Sequence, residues 1–160
     1  MHGLELARPA GSNGFFGARY FLHLIGPPSV ALAAASAAGP FVPGLRPALA
    51  RFCHQIGERS FCVEGRPFGL CARCTGIYLG VAAAWLGIGA LARRPALLAA
   101  LERPAYALAV ASTLLWALGV DVGNATRLAF GLGLGAAAGF GLWRARQWLD
   151  QCFNDTGAPS

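Results

Sequence analysis

The stretch that decides the fold is residues 75–91, TGIYLGVAAAWLGIGAL, which contains no charged residue. An apolar run of this length lies at the lower end of the roughly 17 to 25 residues that cross a bilayer as a helix. The run is followed by Arg93, Arg94 and Pro95, and a proline soon after a helix is typical of a helix end. Residues 75–91 therefore predict a membrane-spanning helix.

The composition of the whole chain agrees with a membrane protein. Of its 160 residues, 56% are hydrophobic and 12% are charged, whereas a soluble domain has about 25% charged residues. The net charge of +6 comes from arginine alone, because the chain has no lysine. No basic surface interleaved with aromatic residues supports nucleic-acid binding. We therefore expect no nucleic-acid partner, and we expect arginines near span ends to contact the lipid bilayer and its anionic headgroups.

Three further apolar segments extend this prediction along the chain, at residues 29–49, about 104–120 and about 128–143. Four short helices with short connections form a compact bundle. We therefore predict an all-α, polytopic membrane protein with about four short transmembrane helices. For the first segment a cleaved signal peptide is the alternative, because ALAAASAAG contains small residues typical of a cleavage site.

These spans define one transmembrane domain over residues 29–146, with a polar motif loop at residues 52–78. Residues 1–28 are expected to form a loosely ordered N-terminal tail, and residues 147–160 a polar C-terminal tail. The protein is expected to be multi-pass in the cell membrane. The arginines divide almost evenly between the two sides, but half of the outer ones belong to the motif. Setting those aside leaves an inner excess, which favours an extracytoplasmic motif.

Glycines recur at a spacing of four in two of the predicted spans. The second span contains Gly76 and Gly80, and the fourth contains Gly131, Gly135 and Gly139. Small residues on one face of a membrane helix allow two backbones to approach closely. We therefore expect the second and fourth spans to pack against each other, or against a second copy in a homo-oligomer.

The motif loop gathers the residues that could bind a metal ion. Cys71 and Cys74 form a C-x2-C pair, while Cys53, His54 and Cys62 precede them. A closed zinc site is tetrahedral and takes four cysteine or histidine ligands. The sequence therefore predicts a zinc site formed by Cys71 and Cys74 with two of the three upstream donors.

The same cysteines also fit two other interpretations. Cys71 and Cys74 lie at the start of a helix beside Arg73, where a thiol pKa is lowered, and C-x2-C is a dithiol exchange motif. This favours a membrane thiol-disulfide oxidoreductase that uses quinone, with Cys53 and Cys62 as a second pair. Structural disulfides, or cysteines buried as small hydrophobic residues, are the remaining alternative.

Polar residues around the cysteines suggest an anion site. Guanidinium groups at a membrane interface suit phosphate recognition, so a lipid headgroup or a small anion is a candidate ligand. The loop between the third and fourth spans lies on the same side as the motif, although its asparagine could instead cap the fourth helix. The residues expected to line the site are Arg59, Ser60, Arg73, Thr75, Tyr78, Asp121, Asn124 and Arg127.

The strings CHQ at 53–55, RSF at 59–61 and CARCTGIY at 71–78 resemble a family of small predicted membrane proteins of bacteria and archaea, catalogued as a domain of unknown function. The resemblance extends over about residues 30–143. It implies a shared site of Cys53, His54, Cys71 and Cys74, with Cys62 as an additional donor outside the family pattern. Gly57 departs from that pattern, which often has proline, and the loop containing Asp121 looks shortened. The resemblance implies no activity, so metal site, oxidoreductase and anion-binding or transport module all stay open.

Overall fold

A computed structural model describes residues 12–91 and 93–155 of the protein. Within these residues the chain forms the helices α1 (Ser12–Ala38), α2 (Leu45–Leu49), α3 (Ala72–Leu91), α4 (Pro95–Ala117) and α5 (Asn124–Asp155). A short 3-10 turn (Gly57–Arg59) and the antiparallel strands β1 (Cys62–Val63) and β2 (Arg66–Pro67) lie between α2 and α3. The motif is therefore a structured loop that leads directly into α3.

Three of the described helices are long and apolar enough to cross a membrane. They are α3, α4 and the part of α5 up to Cys152, with mean hydropathies of 1.7, 1.2 and 1.3. The segment Leu24–Ala38 of α1 is a shorter apolar helix. The prediction of a helical, multi-pass membrane protein is confirmed, with three candidate spans and one shorter apolar helix among the described residues where about four spans were predicted.

The N-terminal helix differs from the sequence prediction. Residues 12–28, which were expected to belong to a loose tail, are helical, and α1 ends at Ala38 instead of running to residue 49. The prediction used Pro27 and Pro28 as a helix boundary, but both prolines lie exposed inside α1. Membrane helices contain proline more often than soluble helices do, so two internal prolines need not end α1. The part of the expected tail before residue 12 lies outside the described residues.

The last two spans are longer than predicted. Helix α4 begins at Pro95, where a proline at the first position costs no hydrogen bond, and it continues through the exposed Pro104. Helix α5 runs from Asn124 to Asp155, so residues 147–155 of the expected polar tail are helical. Nothing in that stretch breaks a helix, and Arg146 pairs with Asp150 one turn later at 2.9 Å.

Helices α3 and α5 form the closest contact in the fold, as the glycine spacing predicts. A Cβ added to Gly76 would collide with the carbonyl oxygen of Leu128, and one added to Gly135 would collide with that of Ile77. At Gly139 the added Cβ would lie 2.7 Å from the Cβ of Ala84. The two backbones therefore touch directly, and this contact fixes the position of the first turn of α3 relative to α5.

Helix α1 holds the end of the motif loop against the start of α3. The Ser36 hydroxyl is fully buried and lies 2.9 Å from the hydroxyl of Thr75 in α3. The same hydroxyl accepts the N–H of Leu70 at 3.3 Å, while the Ser36 carbonyl accepts the N–H of Gly69 at 2.9 Å. These bonds satisfy buried backbone groups that could not reach water. The residues just before Cys71 are thereby fixed in place.

Candidate metal centre

The structure brings three of the five cysteines together at the mouth of α3. The sulfur atoms of Cys53, Cys71 and Cys74 all lie within 4.8 Å of one another. Cys53 is buried, with 6% of its surface exposed, while Cys71 and Cys74 are half-buried. Cys71 immediately precedes α3 and Cys74 lies in its first turn, so the spacing of three places both on one side of the helix. This trio is the part of the predicted ligand set that the fold assembles.

The Cys53 sulfur is held by two backbone hydrogen bonds. The N–H of Gln55 and the N–H of Cys71 each donate to it at 3.4 Å. Hydrogen bonds to a metal ligand fix its orientation. Cys53 is therefore oriented toward the C-x2-C pair by the backbone on both sides of the motif.

Gln55 is the residue that shapes this part of the loop. Its backbone has φ 51°, in the left-handed region that few residues other than glycine adopt. Its side-chain amide donates to the carbonyl of Gly69 at 2.8 Å and to the carbonyl of Arg46 in α2. The Arg46 guanidinium in turn donates to the Gln55 carbonyl at 3.2 Å. Gln55 was not among the predicted site residues, because no sequence pattern distinguishes a glutamine that supports a metal site from any other glutamine.

The environment of Cys71 favours its thiolate. A hydrogen bond from the Cys74 side chain, supported by further bonds from the neighbouring backbone, lowers the pKa of the Cys71 thiol from 9.0 to about 5. Partial burial acts in the opposite direction, because it disfavours a charge. The thiolate form of Cys71, at the start of α3, is therefore favoured.

The other two predicted donors lie apart from the trio. His54 is exposed and lines the adjoining cavity, without being a member of the sulfur cluster. Cys62 is exposed in strand β1, where it pairs with Pro67 across the hairpin. Cys62 is also outside the cluster, and no disulfide joins it to Cys53 among the described residues.

A cavity of about 450 Å³ opens beside the three cysteines, a volume within the range of about 300 to 1,000 Å³ typical of small-molecule sites. One wall comes from the motif and the first turn of α3. The other comes from the end of α4, the loop that follows it and the start of α5. The predicted site residues that line this cavity are Cys53, His54, Arg59, Cys71, Arg73, Cys74, Asp121 and Arg127.

The second wall is attached to the motif by Asn124 at the first position of α5. Its amide donates to the carbonyl of Ser60 at 3.1 Å and to that of Glu58 at 3.4 Å. Its side-chain oxygen accepts from Arg127 at 3.0 Å, and Arg127 also pairs with Asp121. The two loops therefore lie on the same face of the bundle, as the sequence predicts. Asn124 connects the loops by side-chain bonds, whereas the cap role considered from sequence would have kept it within α5.

Three other residues that were predicted to line the site do not line the cavity. They make structural contacts elsewhere. The buried Ser60 hydroxyl donates to the Ile56 carbonyl at 3.0 Å. Thr75 bonds to Ser36 of α1, and Tyr78 packs against the small core of Leu49, Cys53 and Leu70. Ser112 of α4 was not among the predicted site residues. It is buried, lines the cavity and accepts a hydrogen bond from Arg73 at 3.3 Å. The spacing of residues gave no reason to select a serine in an apolar helix, but a polar residue at membrane depth is itself a candidate for a functional site.

The trio can hold a metal ion with little rearrangement. In a tetrahedral site with zinc–sulfur distances of about 2.3 Å, the sulfurs lie roughly 3.8 Å apart. The observed separations of up to 4.8 Å require only small side-chain movements. Catalytic zinc sites have three protein ligands and a fourth position for water or substrate, and a trio of cysteines supplies that number of ligands.

Short parts of the chain are similar to uncharacterized archaeal proteins. An uncharacterized protein from Methanocaldococcus jannaschii is 55% identical over 29 residues, which is 18% of this chain and 19% of that protein. An uncharacterized protein from Methanothermobacter thermautotrophicus is 57% identical over 28 residues, which is 18% of this chain and 25% of that protein. The chain thus matches only about a fifth to a quarter of the length of these relatives. No solved structure matches the chain significantly.

The family comparison covers far more of the chain than these relatives do. A family model described as "Predicted membrane protein (DUF2085)" matches residues 53–141, which begin at the first cysteine of the trio and extend into α5. Both walls of the cavity and the contact between α3 and α5 fall within this range. Since the match spans more than half of the sequence, the chain belongs to this family of membrane proteins.

Proposed function

We propose that the protein binds a zinc ion through Cys53, Cys71 and Cys74 at the membrane face. The observation that supports this most strongly is the mutual approach of the three sulfurs to within 4.8 Å. Thiolate ligands favour soft or borderline metals such as zinc over magnesium or calcium. Two backbone N–H groups already orient the Cys53 sulfur, so little reorganisation is needed to form the site.

The fourth ligand decides whether this zinc is structural or reactive. His54 lines the cavity next to Cys53, and a rotation of its side chain into the cluster would complete a closed site. Otherwise the fourth position accepts water or an oxygen atom of a ligand in the cavity. A zinc ion with such an open position supplies Lewis-acid chemistry. The cavity beside the trio favours the open arrangement.

Metal analysis of the purified full chain tests the proposal. The protein is purified in detergent, zinc is measured by elemental analysis, and free thiols are mapped by alkylation and mass spectrometry. We expect about one zinc per chain, with the trio protected from alkylation until a chelator is added. Cys53→Ser, Cys71→Ser and Cys74→Ser should each lose most of the zinc.

The chain provides matched controls at its other two cysteines. Cys62→Ser and Cys152→Ser make the same chemical change outside the trio and should retain the wild-type zinc content. His54→Ala separates the two coordination models, because it lowers zinc affinity only if His54 is the fourth ligand. A zinc-free wild type, or an equal loss in the Cys62→Ser variant, would overturn the proposal.

A second candidate function is thiol-disulfide exchange with quinone. The proximity of the Cys71 and Cys74 sulfurs favours it, as does the apolar part of the cavity wall, which includes Leu115, Trp116 and Phe130. In this reaction the two thiols form a disulfide and lose two electrons and two protons. A quinone accepts both and becomes a quinol. The expected result is a Cys71–Cys74 disulfide that accumulates when quinone is added to the metal-free protein, and its absence would exclude this function.

We further propose that the motif face is extracytoplasmic in the cell membrane and that its arginines bind an anion or a lipid headgroup. Cys62 gives a direct test of orientation, because it is exposed in the hairpin of the motif. A membrane-impermeant maleimide should label the wild type in intact cells, but not the Cys62→Ser variant. Labelling that appears only after the cells are lysed would place the motif in the cytoplasm.

A further inference from the structure

The cavity carries an excess of positive charge. Arg59, Arg73 and Arg127 line it, whereas Asp121 is the one carboxylate among the described lining residues. Asp121 is paired with Arg127. Among the residues that the structure describes, neither Arg59 nor Arg73 forms an ion pair. Two guanidinium groups therefore face the cavity without a carboxylate partner.

Arg73 is the less well satisfied of the two. It is half-buried in the first turn of α3, where the positive end of the helix dipole disfavours another cation. Its one side-chain hydrogen bond in the described structure is to the Ser112 hydroxyl at 3.3 Å, so most of its five N–H donors have no protein acceptor. An uncompensated charge near membrane depth is costly. This position indicates an anionic ligand.

The cysteine trio only partly offsets this charge. Three thiolates around one divalent ion leave a single negative charge at the cluster, while Arg59 and Arg73 contribute two unpaired positive charges. A net positive charge therefore stays in the cavity after the metal centre is complete. The positive charge of the arginines thus exceeds the negative charge of the metal-bound thiolates and Asp121.

The remaining part of the cavity wall is apolar. Leu115 and Trp116 of α4, Val120 of the following loop and Phe130 of α5 lie in it. Trp116 and Val120 are 71% and 48% exposed, at the end of a helix that is long and apolar enough to cross a membrane. A cavity with a cationic side and an apolar side suits an amphiphile whose charged end faces the arginines.

We propose that this cavity binds a phosphate group, held by the guanidinium groups of Arg59 and Arg73. The planar fork of arginine donates two parallel hydrogen bonds to phosphate oxygens, which makes it suited to this ligand. The group belongs either to free phosphate or to a lipid with a terminal phosphate, and the apolar wall favours the lipid. This inference rests on the proposal that the arginines of the motif face bind an anion, and it does not require the zinc to be bound.

Binding measurements on the detergent-purified full chain test the inference. The three probes are inorganic phosphate, short-chain phosphatidic acid and the neutral short-chain diacylglycerol. We expect saturable binding of a phosphate-bearing probe that Arg59→Gln and Arg73→Gln each weaken about tenfold or more. Arg66→Gln removes the same charge from an exposed residue of the motif that does not line the cavity, so it should bind like the wild type. Tighter binding of phosphatidic acid than of inorganic phosphate identifies a lipid, and equal binding identifies free phosphate.

Several results would overturn the inference. These are no saturable binding of either phosphate probe, equally tight binding of diacylglycerol, or the same loss in Arg66→Gln as in Arg59→Gln. Arg59 lies on an exposed loop, so its variant should fold even if Arg73→Gln does not. Zinc content is measured in every variant and should stay at the wild-type value. Phosphate binding in a zinc-free wild type would contradict the metal proposal alone.

Discussion

The backbone N–H of Cys71 donates a hydrogen bond to the sulfur of Cys53 at 3.4 Å. This bond joins the two halves of the motif, which are 18 positions apart in the sequence. Together with the bond from Gln55 it sets the direction of the Cys53 sulfur before any ligand arrives.

Replacement of Gln55 should loosen the motif. Gln55→Ala removes the side-chain bonds to Gly69 and Arg46 and keeps a Cβ in the left-handed conformation. Each lost bond costs about 1 kcal/mol, with more for a buried carbonyl left unpaired. Thermal unfolding in detergent and zinc content should both decrease.

The variant Gln55→Gly separates the loss of the side-chain hydrogen bonds from the strain of the left-handed backbone conformation. Glycine adopts a positive φ without strain, so this variant should be roughly 1 kcal/mol more stable than Gln55→Ala although it lacks the same side-chain bonds. Gln147→Ala, at an exposed position of α5, is the control for loss of a glutamine side chain. If Gln55→Ala unfolds at the same temperature as this control, Gln55 does not hold the loop.

The contact between α3 and α5 should not tolerate even a methyl group. Gly135→Ala places a Cβ on the carbonyl oxygen of Ile77, so the backbones must separate. Such overpacking costs about 1 to 3 kcal/mol. Because the first turn of α3 carries Cys74, zinc binding should weaken together with thermal stability.

Gly89 provides the matched control in the same bundle. A Cβ there meets nothing within 4 Å, and its backbone is helical. Gly89→Ala should therefore leave stability unchanged or raise it by about 0.5 to 1 kcal/mol. Equal destabilisation by both substitutions would show that the glycines act through helix propensity and not through close packing.

Loss of Asn124 should open the cavity. Asn124→Ala removes the bonds to Ser60 and Glu58 that connect α5 to the motif, and it also removes an acceptor for Arg127. In chelator-treated protein we expect faster alkylation of the buried Cys53, measured by mass spectrometry. The nearby exposed Thr126 supplies the control Thr126→Ala, which should leave the rate unchanged. Identical Cys53 rates in both variants would contradict this role of Asn124.

An ion pair between Arg144 and Glu102 joins α4 and α5 at the end of the bundle away from the motif. Arg144 of α5 donates two hydrogen bonds to Glu102 of α4, at 3.0 and 2.6 Å, and the Glu102 side chain is only 13% exposed. Arg144→Gln should destabilise the protein by about 1 to 3 kcal/mol. Glu102→Gln should cost less, because a neutral amide is easier to leave without a charged partner. Thermal unfolding temperatures show which of the two variants is less stable, and Arg103→Gln is the exposed control. A greater loss of stability in Glu102→Gln than in Arg144→Gln would contradict this explanation.

Much of the fold follows from local sequence signals. The apolar run at 75–91 and the glycines at a spacing of four predicted α3 and its partner α5, because length and residue size act locally. The boundaries of α1 did not follow, since Pro27 and Pro28 normally indicate a break. Proline is more frequent inside membrane helices than inside soluble ones, so this local signal did not give the boundary.

The candidate site was likewise predictable from the sequence only in part. The C-x2-C spacing brought Cys71 and Cys74 together by helical geometry alone, and connectivity placed Asp121 and Arg127 on the same face. The choice of Cys53 as the third sulfur depends on the left-handed turn at Gln55 and on contacts with α1 and α2, which no local pattern encodes. The hydrogen bond between Ser112 and Arg73 was not predicted, because it depends on the way in which α4 packs beside α3.

Zinc K-edge X-ray absorption of the purified full chain tests the central claim most directly. The three cysteines predict a first shell that contains three sulfur atoms at about 2.3 Å and one lighter atom. In Cys71→Ser the remaining zinc should show fewer sulfur ligands, whereas Cys62→Ser should reproduce the wild-type spectrum. A zinc shell of only nitrogen and oxygen atoms, or a wild type without bound zinc, would contradict the assignment of Cys53, Cys71 and Cys74 as a metal centre.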